Sequence, residues 1–323
     1  MKAVMIDSEH QLKWSEVPDP ALKPGYVIIQ VKAAGVNRAD LLQAAGKYPP
    51  PPGWPEWPGL ECAGIIEQAA PDSRWKIGDR VCALLGGGGY AEKALVPEGM
   101  VMPLPAGCSF TEAACLPEVY TTAMLNLVRL GELKKGETVF IQAGASGLGI
   151  AAIQIARLIG AKVVTTVGSP DKAEAAKKIG ADVVINRKTE AVDDVLQRNP
   201  IDLALDCAGG VLLGKCLNAM NPGGRWILVA TLGGETTEIP LRVLLKKHLK
   251  VIGSTLRSRS DAEKSEILKQ LVELVWPQVE KGTVRPVINA VFPMEKAAEA
   301  HQVLAHQVLA QQKNIGKVVL TLP

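Results

Sequence analysis

The sequence predicts a two-domain α/β protein in which an all-β barrel is followed by a doubly wound domain built on a parallel six-stranded sheet. Three observations predict it. Short segments of alternating hydrophobicity, parted by Gly, Pro and Asp, fill residues 1–120. Nearly unbroken apolar strands alternate with helix-length segments over 121–262, the texture of a parallel sheet covered on both faces. Residues 263–323 then bring a helix and a final strand back to complete the first domain.

Taken in order, the N-terminal MKAVMIDSEHQLKW carries charge inside its apolar stretch, so it reads as a strand and not as a signal peptide. Barrel strands follow in YVIIQVKAAGV, CAGIIEQAA, DRVCALL and YAEKALV. Residues 47–59, KYPPPPGWPEWPG, are barred from a sheet because their prolines lack the amide donor. This loop has two open readings: a rigid linker packed by Trp54 and Trp57, or a wall of a substrate pocket. In the second domain the strands are TVFIQA, KVVTTVG, DVVIN, DLALDCA, RWILVA and KVIGS, with helices IAAIQIARLIG, DKAEAAKKIG, TEAVDDVLQR and VLLGKCLNAM between the first five. Helix SDAEKSEILKQLVELV and strand KVVLTL close the chain.

Composition narrows the function. A net charge of +3 over 323 residues, with no basic run interleaved with aromatics, argues against nucleic acid. No apolar run approaches the roughly 18 residues of a membrane span. The six cysteines, at 62, 82, 108, 115, 207 and 216, have no paired spacing and read as buried thiols of a reducing compartment, the cytoplasm. No Cys/His pair and no Ser/His/Asp arrangement is visible.

The stretch VFIQAGASGLG, 139–149, carries the first chemistry. A phosphate-binding turn needs a strand to deliver the chain, residues small enough for backbone N–H groups to approach, and a helix N-terminus facing the anion. Gly144 and Gly149 keep the first and third glycines of the dinucleotide pattern; Ser146 takes the middle place, with Gly147 and Leu148 completing the turn. This is the start of a Rossmann domain. An NAD-binding turn places an acid at the end of the next strand to grip the ribose 2′-hydroxyl. Here stand Gly168 and Ser169, with Lys172 and Arg187 further on, which leaves room and cations for a 2′-phosphate. NADPH is the expected cofactor.

Over nearly its whole length the chain resembles a known family. GVNRADLLQAAGKYPPPPG, GLECAGII, WKIGDRVCALL, GGGGYAEKALVPEGMVMPLP, PEVYTTA, QAGASGLG, LDCAGG, LRSR and NIGKVVL carry the likeness. It is similar to the zinc-independent, zeta-crystallin-like quinone oxidoreductases of the medium-chain dehydrogenase/reductase superfamily, and within them to the tumour-suppressor-inducible branch. The resemblance implies a GroES-like first domain and a homodimer formed through the cofactor domain, where KVIGS ends the sheet. The places at which alcohol-oxidising relatives hold zinc read Asn37, Leu60 and Glu118, so no metal is expected. The resemblance also sets Asn37, Asp40 and Tyr48 beside the nicotinamide, with Tyr48 as hydrogen-bond donor and Tyr120 and Thr122 near the same ring. Further cofactor contacts are implied at Cys207, Ala208, Gly209, Leu232, Gly233, Leu256, Arg257 and Asn314.

The expected activity is direct hydride transfer from NADPH to a quinone. A quinone is already electrophilic, and its reduced oxygen is a stabilised phenolate, so alignment and one donor suffice. Reduction of activated C=C bonds follows the same logic, and an NADPH-binding protein with little turnover is the alternative outside catalysis. One segment departs from the family: HQVLA occurs twice, at 301–305 and 306–310. Five added helical residues amount to about 7.5 Å and about 140° of rotation, which bears on where Asn314 lies.

Overall fold

The computed structural model describes residues 1–309 and 315–323, with the side chains of 306–309 outside the described set. The chain forms two compact units, Met1–Thr121 with Arg257–Pro323, and Thr122–Leu256.

The first unit is built around Tyr26–Val36, whose eleven residues are long enough to pair with three neighbours. Its sheet runs Ile288–Pro293, Lys317–Thr321, Tyr26–Val36, Glu61–Ala69, Arg80–Leu84 and Val101–Pro103, with Lys93–Pro97 also on the long strand. Every pairing is antiparallel except that of Ile288–Pro293 with Lys317–Thr321. Register then decides what meets at one end. Ala34 faces Cys62 and Val36 faces Val318, which brings Asn37, Glu61 and Lys317 to the same end of the sheet.

The second unit is the expected parallel sheet, in the order Val183–Asn186, Lys162–Val167, Thr138–Ile141, Ile201–Asp206, Met220–Leu228, Lys250–Gly253. The strand order reverses direction beside the first strand, the crevice at which open α/β sheets bind ligands. Phe140, Val164, Ile185 and Trp226 fill the core on one face, with the Phe140 and Trp226 rings 6.0 Å apart. Burying each such side chain contributes about 1.5–3 kcal/mol. Helix Gly147–Ile159 buries Ile150, Ile153 and Ile155, and it stops where Gly160 turns left-handed at φ 86°. The sequence reading named no helix before the sixth strand. Leu241–Lys247 forms one there, with Leu241 and Leu245 exposed.

Candidate active site

The turn in the second unit is shaped by its neighbour strand. Gly144 N donates to Thr166 O at 2.9 Å and Ala143 N to Thr166 Oγ1 at 3.1 Å. A β-carbon on Gly144 would collide with Thr165 Oγ1, and one on Gly149 with Ala143 O, so these two glycines serve close packing of turn on strand and of helix on turn. The left-handed residue is Ala143 at φ 55°, not a glycine. Ser146 caps the helix, its Oγ accepting from Gly149 N at 3.0 Å, which leaves the hydroxyl proton available to a ligand. Gly147 and Leu148 open the first helical turn, where N–H groups and helix dipole suit an anion.

Three buried polar atoms of this unit have no partner: Gln142 Nε2, Asn126 Oδ1 and Ser254 Oγ. Gln142 and Ser254 directly follow the first and sixth strands, at the carboxyl end where a parallel sheet receives its ligand. Buried polar groups without partners call for one, so these atoms fit a bound polar cofactor.

At the end of the second strand Gly168 is buried and Ser169 caps helix Pro170–Ile179. Burial, then the charges of Arg187 and Lys188, hold the Lys172 ammonium below its ordinary pKa. Like charges gathered this way favour an anion between them, and Lys188 is a cation the sequence reading did not single out. Beyond the fourth strand, Asp206 organises the loop. Its Oδ1 accepts from Ala208 N at 2.7 Å and Gly209 N at 2.8 Å, while Oδ2 accepts from Trp226 Nε1 at 2.8 Å. Gly209 sits at φ 62°, and Gly233 N donates to Ala208 O at 2.7 Å, so the two predicted cofactor loops are laced together. Cys207 is half-buried, its thiol pushed up to about 12 by burial, which makes it inert as a nucleophile. Leu232 is 46% exposed, Leu256 is buried, and Thr122 is half-buried.

In the first unit, the end of the sheet holds a buried ionic network. Lys317 Nζ donates to Glu61 Oε1 at 2.7 Å, Asn37 Oδ1 at 2.5 Å and Val36 O at 2.9 Å. Asn37 Nδ2 in turn donates to Glu61 Oε1 at 2.8 Å, and Glu118 N donates to Glu61 Oε2 at 2.8 Å. Asn37 therefore has both ends of its amide committed. Asp40 is fully buried and accepts from Asn37 N at 2.7 Å and Gly59 N at 2.9 Å; burial still pushes its carboxyl up to about 6. Leu60 is buried, and burial together with the Glu61 carboxylate pushes Glu118 up to about 8.

Tyr48 is half-buried, and its phenol is raised by burial, so it is protonated at neutral pH. The Arg257 guanidinium lies 4.9 Å from its ring centroid. Tyr120 is buried in the core of this unit, its phenol raised by that burial. Trp57 Nε1 donates to Gly88 O at 3.1 Å and Trp54 packs on Gly86, which pins the proline-rich loop. Asn314 lies outside the described residues. Among the described residues no three His, Cys, Asp or Glu side chains are grouped as a metal set.

Sequence reasoning missed Glu61, Lys317, Asp206, Gln142 and the Thr165–Thr166 pair. A signal existed for the first three: single charges set in otherwise apolar strands, in GLECAG, IGKVVL and LALDCAGG, cannot be buried without partners.

Comparison with known proteins gives consistent neighbours. Residues 23–106 match the alcohol dehydrogenase GroES-like domain family and 147–275 the zinc-binding dehydrogenase family, the second match containing none of positions 37, 60 and 118. Quinone oxidoreductase of Rattus norvegicus is 34% identical over 314 residues, covering 95% of this chain and 92% of that protein. The quinone oxidoreductase of Thermus thermophilus, solved also in complex with NADPH, is 30% identical with a TM-score of 0.84 over 100% of both chains. A 2-haloacrylate reductase is 27% identical, with a TM-score of 0.82 over 100% of this chain and 99% of that one. No helix among the described residues is long and apolar enough to cross a membrane.

Proposed function

Because the chain belongs to the quinone oxidoreductase family of the medium-chain dehydrogenase/reductase superfamily, we propose that it is an NADPH-dependent reductase that works without zinc and passes hydride directly to a quinone. The observation that carries this reading is what occupies the three ligand places. Asn37 is committed to Lys317 and Glu61, Leu60 is a buried aliphatic, and Glu118 is an acid pushed toward neutrality. Thiolate and imidazole, the usual zinc ligands, are at none of them. An acceptor reduced without a Lewis acid has to be electrophilic already, and a quinone is.

In this reading Ser169, Lys172 and Arg187 hold the 2′-phosphate, residues 144–149 the pyrophosphate, and Cys207–Gly209 with Leu232, Gly233 and Leu256 the nicotinamide end. NADPH supplies the hydride when bound. Tyr48 donates to the acceptor oxygen as charge develops there, and Asp40 holds Gly59 and the helix start at Asn37 together. Tyr48→Phe is expected to lower kcat for quinones between about fivefold and about a hundredfold, the range from a neutral to a charge-assisted hydrogen bond, with NADPH affinity held. Weaker NADPH binding at constant kcat would make Tyr48 a cofactor clamp; no change in either would make it a packing residue.

Zinc independence is checked by elemental analysis and by activity after chelation, and activity regained on adding zinc to stripped protein would overturn it. A second reading, reduction of activated C=C bonds, is favoured by the likeness to 2-haloacrylate reductase. A panel of quinones, enones and aldehydes decides between the two, and cofactor binding without turnover on any of them would leave a binding role. The open edge strand Lys250–Gly253, with Val251 and nearby Leu241 and Leu245 exposed, supports a homodimer, for which light scattering should give twice 34.3 kDa. Six free thiols accord with the cytoplasm as its compartment.

A further inference from the structure

We propose that Arg257 is the positioning residue of Tyr48, holding ring and backbone together so that the hydroxyl is presented in one orientation. The inference rests on the reading of Tyr48 as donor and departs from the cofactor contact that the family resemblance implies for Arg257. Four hydrogen bonds define its place. Nη1 donates to Tyr48 O at 3.0 Å, Nε and Nη2 donate to Gly86 O at 2.9 and 2.6 Å, and Nη2 donates to Gln43 Oε1 at 2.6 Å.

A guanidinium has five N–H groups, so these bonds commit four of them to the protein. Arg257 is buried, and its guanidinium carbon lies over the Tyr48 ring at cation–π distance, 4.9 Å from the centroid. Gln43 extends the brace, since its Nε2 donates to Glu56 O at 2.6 Å within the same loop. One side chain thus joins helix Arg38–Ala44, the loop of Tyr48 and the segment at Gly86. The rigid fork suits this task because several bonds are made for one immobilised side chain.

The brace also acts electrostatically. Burial raises the Tyr48 phenol most, the Arg257 cation opposes it, and Glu118 when ionised adds a smaller upward push. A cation against the ring stabilises negative charge on the phenol oxygen, which makes the hydroxyl a stronger donor to a developing oxyanion. Holding the ring in place before the acceptor arrives removes an ordering cost from the reaction step.

The test is a double-mutant cycle on the full chain with Tyr48→Phe, Arg257→Met and both, with Arg257→Lys as the conservative variant. Readouts are kcat for a quinone, NADPH affinity by fluorescence titration, and Tm. Arg257→Met is expected to lower kcat about tenfold with NADPH affinity within about twofold, and the double variant to lose little more than the worse single one. Arg257→Lys, which keeps the cation but not the fork, should recover about a third of the lost rate. If the methionine variant does not fold, the lysine variant completes the cycle, with about a threefold loss that again vanishes in the Tyr48→Phe background. Additive losses would overturn the proposal, as would weakened NADPH binding at unchanged kcat. A normal kcat in Tyr48→Phe would remove the donor reading and this inference with it; a slow Tyr48→Phe beside a normal Arg257→Met would remove the inference alone.

Discussion

Replacing Lys172 and Arg187 together with alanine is expected to weaken NADPH binding about a hundredfold while leaving NADH within about twofold, because each charge-assisted contact to a phosphate contributes about 1.5–3 kcal/mol and every 1.4 kcal/mol is tenfold. The single Lys172→Ala change should account for about tenfold of this. The cause lies in the arrangement at the end of the second strand, where no acid competes for the ribose and the Lys172 ammonium is strained by burial and by the charges of Arg187 and Lys188. In the proposed reading a 2′-phosphate beside Lys172 offsets that repulsion, whereas a 2′-hydroxyl does not. Lys188, the cation left in the double variant, is expected to account for any preference that remains. Isothermal titration of both cofactors against wild type and variants decides the matter, and equal wild-type affinity for NADH and NADPH would sink it.

The second large effect concerns the buried pair Lys317–Glu61, whose side chains are 5% and 0% exposed. Lys317→Met should destabilise the protein by about 3–5 kcal/mol, because it leaves the Glu61 carboxylate buried without its cation. Urea unfolding should show an earlier midpoint. Asn37 Nδ2 and Glu118 N would still donate to Glu61, which keeps the loss within that range instead of beyond it. The Lys317→Met/Glu61→Gln double variant removes the stranded charge and should regain part of the stability. A single variant unfolding within about 1 kcal/mol of wild type would mean that water reaches the carboxylate and that the network carries no such weight.

The two effects differ in how visible their residues were beforehand. Lys172 and Arg187 follow strands whose apolar runs mark them, so their candidacy was legible from position along the chain. The parallel sheet, its six strands and its open edge were legible for the same reason: hydrophobic period and small-residue junctions are local properties. Helix Leu241–Lys247 escaped although Leu241, Leu244 and Leu245 stand at helical spacing, because seven residues make only about two turns, too short for the period to stand out.

What the sequence by itself determined is therefore most of the elements and the residue types at their ends: the small-residue turn at 144–149, a second-strand end at Gly168 and Ser169 without an acid, and Asn37, Leu60 and Glu118 at the places where the resemblance sets zinc in alcohol-oxidising relatives. Only the tertiary structure decided which side chains spend their polar groups on the protein and which keep them for a ligand. Lys317 and Glu61 lie 256 residues apart, and Arg257 and Tyr48 209, so no local pattern relates them. They meet because strand register sets Val318 opposite Val36 and Ala34 opposite Cys62, and because Gly86 and Gln43 both converge on one guanidinium. Asp40 and Asn37, equally polar in the sequence, prove committed to backbone and to the ion pair, while Gln142, an unremarked glutamine before the turn, keeps a buried amide nitrogen without a partner among the described residues. The physical reason is that a polar group's role is set by what satisfies it once water is removed, and that is fixed by contacts across the fold, not by neighbours along the chain.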